Sequence, residues 1–293
     1  MSGVLSRARI VPLIVALAAA ALLVTFPIWS TPWEGSRYAT SILRDMLVLA
    51  ILALSLDLLV GSAGMPSLGQ SAYFGAGAYA AAIAGQRLGS DDLLLGLGAA
   101  VLVSSLLALA IGAVAVRAAG IFFLMLTLAF AQMVFAVAFQ AADITGGSNG
   151  FSGVRRPMLW GLDFNGPDAL FHLVAVVFLG VLLLVWRIRT STYGRALIGL
   201  RENERRMRAL GYDTTRLKLS AFVLAGAIAG VGGASTLLGP VVGAVVVLFI
   251  ERVMPSYIAF AETVLGLVFI IFVLAARQGI IGLVRVAYAR ARA

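Results

Sequence analysis

The sequence predicts an all-α, polytopic transmembrane helix bundle of about eight or nine membrane segments, with one amphipathic helix on the cytoplasmic side. Three observations carry that expectation. Of 293 residues, 61% are hydrophobic and the mean hydropathy is +1.03, more apolar surface than one soluble core of this length can hide. Apolar runs long enough to cross roughly 30 Å of hydrocarbon recur along the chain. The arginines cluster at the ends of those runs. The net charge of +9 is therefore read as topology and attraction to lipid head groups, and nucleic acid is not an expected partner. There is no cysteine, so no disulfide framework or thiolate site arises.

Arg7 and Arg9 precede the apolar run 10–28, which ends without a small-residue cleavage site. It is read as a retained first span with the amino terminus inside. Trp29 and Trp33 then fall where an outer aromatic belt belongs. Further spans are expected at 43–60, 68–84, 93–116, 120–140 and 169–186. Counting from an inside start puts 141–168 outside and 187–218 inside. Charge agrees, because 187–218 carries Arg187, Arg189, Arg195, Arg201, Arg205, Arg206, Arg208, Arg216 and Lys218 against Glu202, Glu204 and Asp213. Runs at 219–234, 237–249 and 264–275 follow. Three crossings leave the carboxyl terminus outside, yet Arg277, Arg285, Arg290 and Arg292 favour inside. A re-entrant 237–249 or a missing membrane element restores parity.

Within the basic loop, Leu197, Leu200, Met207 and Leu210 recur at helical spacing opposite the charges. Gly211 follows where a left-handed helix ending is expected. A helix from Gly194 to Gly211 has two readings: an apolar stripe offered to a partner protein, or an interfacial helix on anionic lipid.

Gly61, Gly64 and Pro66 interrupt helix between two apolar runs, and Ser67 with Gln70 fits a capping box that restarts it. A helix start near the membrane offers free N–H groups to an amino-acid carboxylate; the plainer reading is a tight cytoplasmic turn. Ser67, Gln70 and Ser71 are thus translocation-path candidates. Asp57 is a fourth. A charge inside an apolar run costs about 2.5–3.5 kcal/mol at mid-bilayer, so Asp57 faces protein or water, as a hydrogen-bonded structural residue or in the path. Gly75, Gly77, Ala80 and Ala84, and again Gly226, Gly230 and Gly233, are spaced for close helix approach. Glu251 and Glu262 flank Pro255 as solvated ends.

Thr145-Gly-Gly-Ser-Asn-Gly150 has no Lys-Ser/Thr ending and is not a phosphate cradle. His172, the one histidine, lies at a span end and suits an interfacial hydrogen bond better than a metal. No nucleophile–base pair, metal-ligand cluster or GxxxxGK[ST] occurs. The chain is not expected to be an enzyme or to bind a cofactor itself.

Four ordered blocks carry a resemblance. They are LALSLDLLVGSAGMPSLGQSAYFGAGAYAAAIAG, ITGGSNGFSGV, GRALIGLRENERRMRALGYDTTRLKLSAFVLAGAIAGVGGA and TLLGPVVGAVVV. Together they resemble permease subunits of branched-chain amino acid ABC transporters, the LivM type, over most of the chain. The resemblance implies one permease domain, residues 1–293, forming half of a translocation pathway in a bacterial inner membrane. Its partners would be a second permease, two ABC ATPase subunits that use ATP, an extracytoplasmic solute-binding protein and membrane lipid. The loop 187–218 would couple to the ATPase. Leu197, Leu200 and Met207 would pack in its groove and Arg201, Glu202 and Glu204 would fix register, with Gly194, Asn203 and Gly211 shaping the helix. The family commonly has Asn at Asp57. It also carries an outer loop and a membrane segment where this sequence has only Ser235, which implies a missing element there. Permeases for urea, short amides or other amino acids remain open, as do an ATP-independent carrier or channel and a membrane scaffold or defective paralogue.

Overall fold

The computed structural model describes residues 36–88, 92–147, 150, 158–159, 162–163 and 167–236. The run 10–28, Trp29, Trp33 and everything after Thr236 lie outside the described residues, including 237–249, 264–275 and the arginine-rich tail. Helix α1 is Ser36–Asp57, continued by a π-helical turn, Leu58–Ala63. Then come α2 (Gln70–Leu88), α3 (Leu93–Ala115), α4 (Ile121–Gln140) and the single turn α5 (Ala142–Thr145). A two-residue antiparallel ladder, Met158–Leu159 with Leu162–Asp163, is a small departure from the all-helical expectation. Helices α6 (Pro167–Thr190), α7 (Thr192–Glu202), α8 (Glu204–Ala209) and α9 (Thr214–Thr236) complete the described chain.

Among the described residues, five helical stretches are long and apolar enough to cross a membrane: Thr40–Ala63, Leu93–Ala115, Ile121–Gln140, Asp168–Thr190 and Thr214–Ser235. The expected span at 68–84 is helix α2 from Gln70 onward, and its Gly- and Ala-rich composition makes it less apolar than those five. Composition explains its use. Helix α9 lies at the centre, packed on α2, α3 and α1, while α6 packs on α1.

Small residues set those contacts. A side chain on Gly77 would run into the Gly230 backbone, one on Gly233 into the Phe74 carbonyl, and one on Gly226 into Ala108. The glycine spacing thus does bring helices together, as small-residue faces do in lipid. Gly75 has nothing near it and faces open space. Phe222 is fully buried at the crossing, edge-on to Tyr73 (5.7 Å) and Phe123 (5.9 Å). Helix α4 contrasts with this. Phe122, Met125, Phe135 and Val137 are all exposed.

Candidate functional site

The loop and the π turn meet at one end of the bundle. The turn runs from Leu58 to Ala63 and is capped by Gly64, whose φ of 71° is a left-handed conformation that glycine adopts without cost. Helix α6 ends at Thr190, and Ser191 caps α7 by accepting from the Gly194 N–H at 3.2 Å. Gly194 is fixed by space, since any side chain there would strike the Ile188 and Arg189 carbonyls. The tight corner folds α7 back onto the π turn.

Two contacts join them, and a third ties the end of α6 to the end of α1. Leu197 is fully buried in one cluster with Leu58, Leu59, Ala63 and Met65 of the turn and Phe222 of α9. Arg201 Nη1 donates to the Gly61 carbonyl at 2.6 Å, and its side chain lies over Gly64, where an added Cβ would sit 2.7 Å from Arg201 Cγ. Arg189 Nη1 donates to Asp57 Oδ2 at 2.6 Å.

These positions correct several expectations. The helix 194–211 is not continuous. Asn203 is extended (φ −159°, ψ 97°) and breaks it, ending α7 and starting α8 through a side-chain bond from the Arg206 N–H (2.9 Å). Leu197, Leu200 and Met207 do not form a stripe open to a partner. All three are buried inside this chain, because the helix rides on the bundle end and its apolar face is the near one. The outward face is Ile198, Leu210 and Tyr212 among Arg195, Glu202, Arg205 and Arg206.

Glu204 points inward as well. It accepts from Lys218 Nζ at 2.7 Å and Arg208 Nη2 at 3.0 Å, tying α8 to α9. Burial opposes its ionisation, but the Lys218 bond and charge, with Thr214 and Arg208, hold its carboxyl below the ordinary value. Tyr193 joins α7 to α9 through Ser220 at 2.7 Å; burial raises its phenol against that bond. Gly211 ends α8 as expected, at φ 87°. Its N–H reaches the Arg208 carbonyl and the Tyr212 N–H reaches Met207, a paired 5→2 and 6→1 closure.

The capping box at Ser67 and Gln70 does not form. Ser67 Oγ accepts from the Gly69 N–H (3.1 Å), and helix α2 starts only at Gln70. The Gln70 side chain turns to α1 instead, 3.5 Å from Ser55 Oγ. Asp57 is no mid-run orphan charge, since its half-exposed carboxylate is paired with Arg189. Ser71 is separated from Ser67 and Gln70. It is exposed at the start of an apolar cavity of about 750 Å³ walled by Gly75, Tyr79, Ile83, Val134 and Phe135. His172 Nδ1 lies 2.6 Å from the Asp168 carbonyl of its own helix. Among the described residues no His, Asp or Glu cluster could hold a metal ion.

Sequence reasoning gave no individual role to Arg189, one of nine cations in the basic loop, or to Ser55, Ser62 and Thr127, single small polar residues near or within apolar runs.

A helical bundle of apolar spans, closed at one end by a basic two-helix loop, defines a multi-pass membrane protein. The chain belongs to the family described as branched-chain amino acid transport system, permease component, whose model matches residues 38–287. It is 31% identical over 236 residues to the high-affinity branched-chain amino acid transport system permease protein LivM of Salmonella typhimurium, and 30% identical over 240 residues to that of Escherichia coli K12. Each match covers 73% of this chain and 55% of the relative, so the match takes in about half the length of those proteins. No solved structure matches.

Proposed function

We propose that this chain is a permease subunit of a binding-protein-dependent ABC importer, forming half of the pathway for branched-chain amino acids. It sits in a bacterial inner membrane with its amino terminus cytoplasmic. It works with a second permease, two cytoplasmic ATPase subunits and an extracytoplasmic solute-binding protein. Family membership and the relatives' names support the substrate class. The absence of a nucleotide-binding motif in the sequence supports placing ATP hydrolysis on another chain.

The observation that carries the reading is the seating of the basic loop. Leu197 is fully buried, Arg201 is bound to the π turn and Arg189 to the end of α1, which supports a loop seated firmly on the bundle and able to pass force to it. In this reading the ATPase touches the outward face: Ile198, Leu210 and Tyr212 make apolar contact, and Glu202, Arg205 and Arg206 set register. Leu197, Leu200, Met207 and Glu204 transmit the load inward. Asn203 and Gly211 shape the surface that the motor meets. An ATP-independent carrier needs a buried ionic relay, and pairing of Asp57 with Arg189 leaves that reading with less support.

A membrane element is also inferred to be missing near Ser235.

Purification in mild detergent from cells that also express the ATPase subunits should bring those subunits down with this chain. Glu202→Arg should then lower leucine-stimulated ATP hydrolysis several-fold in the reconstituted complex. Undiminished stimulation would remove the outward face from the coupling surface.

A further inference from the structure

Around the π turn and the connection that follows it, five buried polar side chains are not explained by the loop geometry. Ser55 (α1), Ser62 (π turn), Ser67 (connection), Gln70 (α2) and Thr127 (α4) are each at most 4% exposed. Three of the five are satisfied. Ser55 Oγ donates to the Leu52 carbonyl at 2.7 Å, and Ser67 Oγ accepts from Gly69. Thr127 Oγ1 donates to the Leu124 carbonyl at 2.9 Å and accepts from the Leu68 N–H at 3.2 Å.

Ser62 Oγ and Gln70 Nε2 are different. Among the described residues, each is buried without a hydrogen-bond partner. The long approach of Ser55 Oγ to Gln70 does not repair this, because the single Ser55 hydrogen is already committed to Leu52. Whichever way the amide is turned, one polar edge has nothing to bond. An orphaned buried group is costly, and a leucine or an alanine at these positions would relieve it. Both orphans flank the Gly64–Gly69 connection, and Gln70 opens a helix of 19 residues.

We propose that Ser62 and Gln70 are the substrate head-group site of the translocation path, taking the zwitterionic carboxylate and ammonium of an α-amino acid. A hydroxyl and an amide each offer a donor and an acceptor, which matches a ligand carrying one charge of each sign. The positive pole of the α2 start favours the carboxylate at Gln70. The cluster is closed to solvent in this state, so substrate reaches it only when the π turn moves. Arg201 holds the carbonyl of Gly61, the residue next to Ser62, and this places head-group access under control of the loop. Ser55, Ser67 and Thr127 are positioning residues that hold the two ends of the connection. Asp57 and Ser71 drop out of the path.

The inference rests on the permease reading, so the test begins with the parent complex. Failure of the parent to co-purify with ATPase subunits removes that reading itself. With the complex in hand, Ser62→Cys places a single thiol in a chain that has none. Alkylation by N-ethylmaleimide during turnover should slow at least tenfold when leucine-loaded binding protein is added. A rate indifferent to leucine, or a thiol that never reacts, overturns the site. Gln70→Leu should cut leucine uptake at least tenfold while the melting temperature of the complex holds or rises. Full uptake, or lost uptake with a lowered melting temperature, marks a structural amide and overturns it too.

Discussion

Helices α9 and α4 make an instructive pair. Helix α4 is the more apolar of the two, yet only 17% of its most hydrophobic window is buried, against 56% for α9. In water the order would be reversed. In a bilayer the lipid is as apolar as leucine, so hydropathy places a helix in the membrane without saying which neighbour it meets. Close packing decides that. Helix α9 carries Gly226, Gly230 and Gly233 where α2 and α3 cross it, and backbones approach because no side chains intervene. Helix α4 presents Phe122, Met125, Phe135 and Val137 outward, a face suited to lipid or to a second subunit.

The largest test of the contrast is a leucine in each helix. Gly230→Leu drives a branched side chain into Ser104 and the Ala100 carbonyl, and overpacking of this kind costs about 1–3 kcal/mol or more. The variant should lose its monodisperse peak in detergent chromatography. Phe122→Leu on α4, 71% exposed, should stay within about 0.5 kcal/mol of the parent. Equal damage at both positions would break the distinction.

At the loop end the comparison sharpens. Leu197 is one helical turn from exposed Arg201 and one residue from exposed Ile198, yet fully buried. Leu197→Ala should lower stability by about 2–5 kcal/mol, read as a fall in melting temperature, whereas Ile198→Ala should hardly move it.

The smallest effect is on pH. The folded-state carboxyl of Glu204 lies below its ordinary value of 4.5. Its contribution is therefore fully present above that value and is lost as pH falls through the lowered one. As pH falls below 4.5, Glu204→Gln should show a flatter melting-temperature profile than the parent, the two profiles running parallel above that value. Profiles parallel below it as well would mean that the Lys218 brace carries no stability.

The legibility of the sequence follows the same divide. Membrane class, the apolar runs and the glycine stripes were readable because length and small-residue spacing are local properties. The ending at Gly211 was readable for the same reason. The direction of the loop stripe was not, since a helix with one apolar side looks the same whether that side meets its own bundle or a stranger. The pairing of Asp57 with Arg189 spans 132 residues, and nothing near Asp57 announces it. Asn203 hid because a good N-cap residue inside a helical pattern is read as one more polar position, although its side chain competes with the backbone and restarts the helix.

That break at Asn203 has a mechanical outcome. The first short helix grips the π turn through Arg201 and also grips α9 through Leu197 and Tyr193, while the second grips α9 through Glu204 and Lys218. One extended residue thus divides the loop into two helices, the first bound to both the π turn and α9 and the second bound to α9, with Met207 packed back against Gly199 across the break.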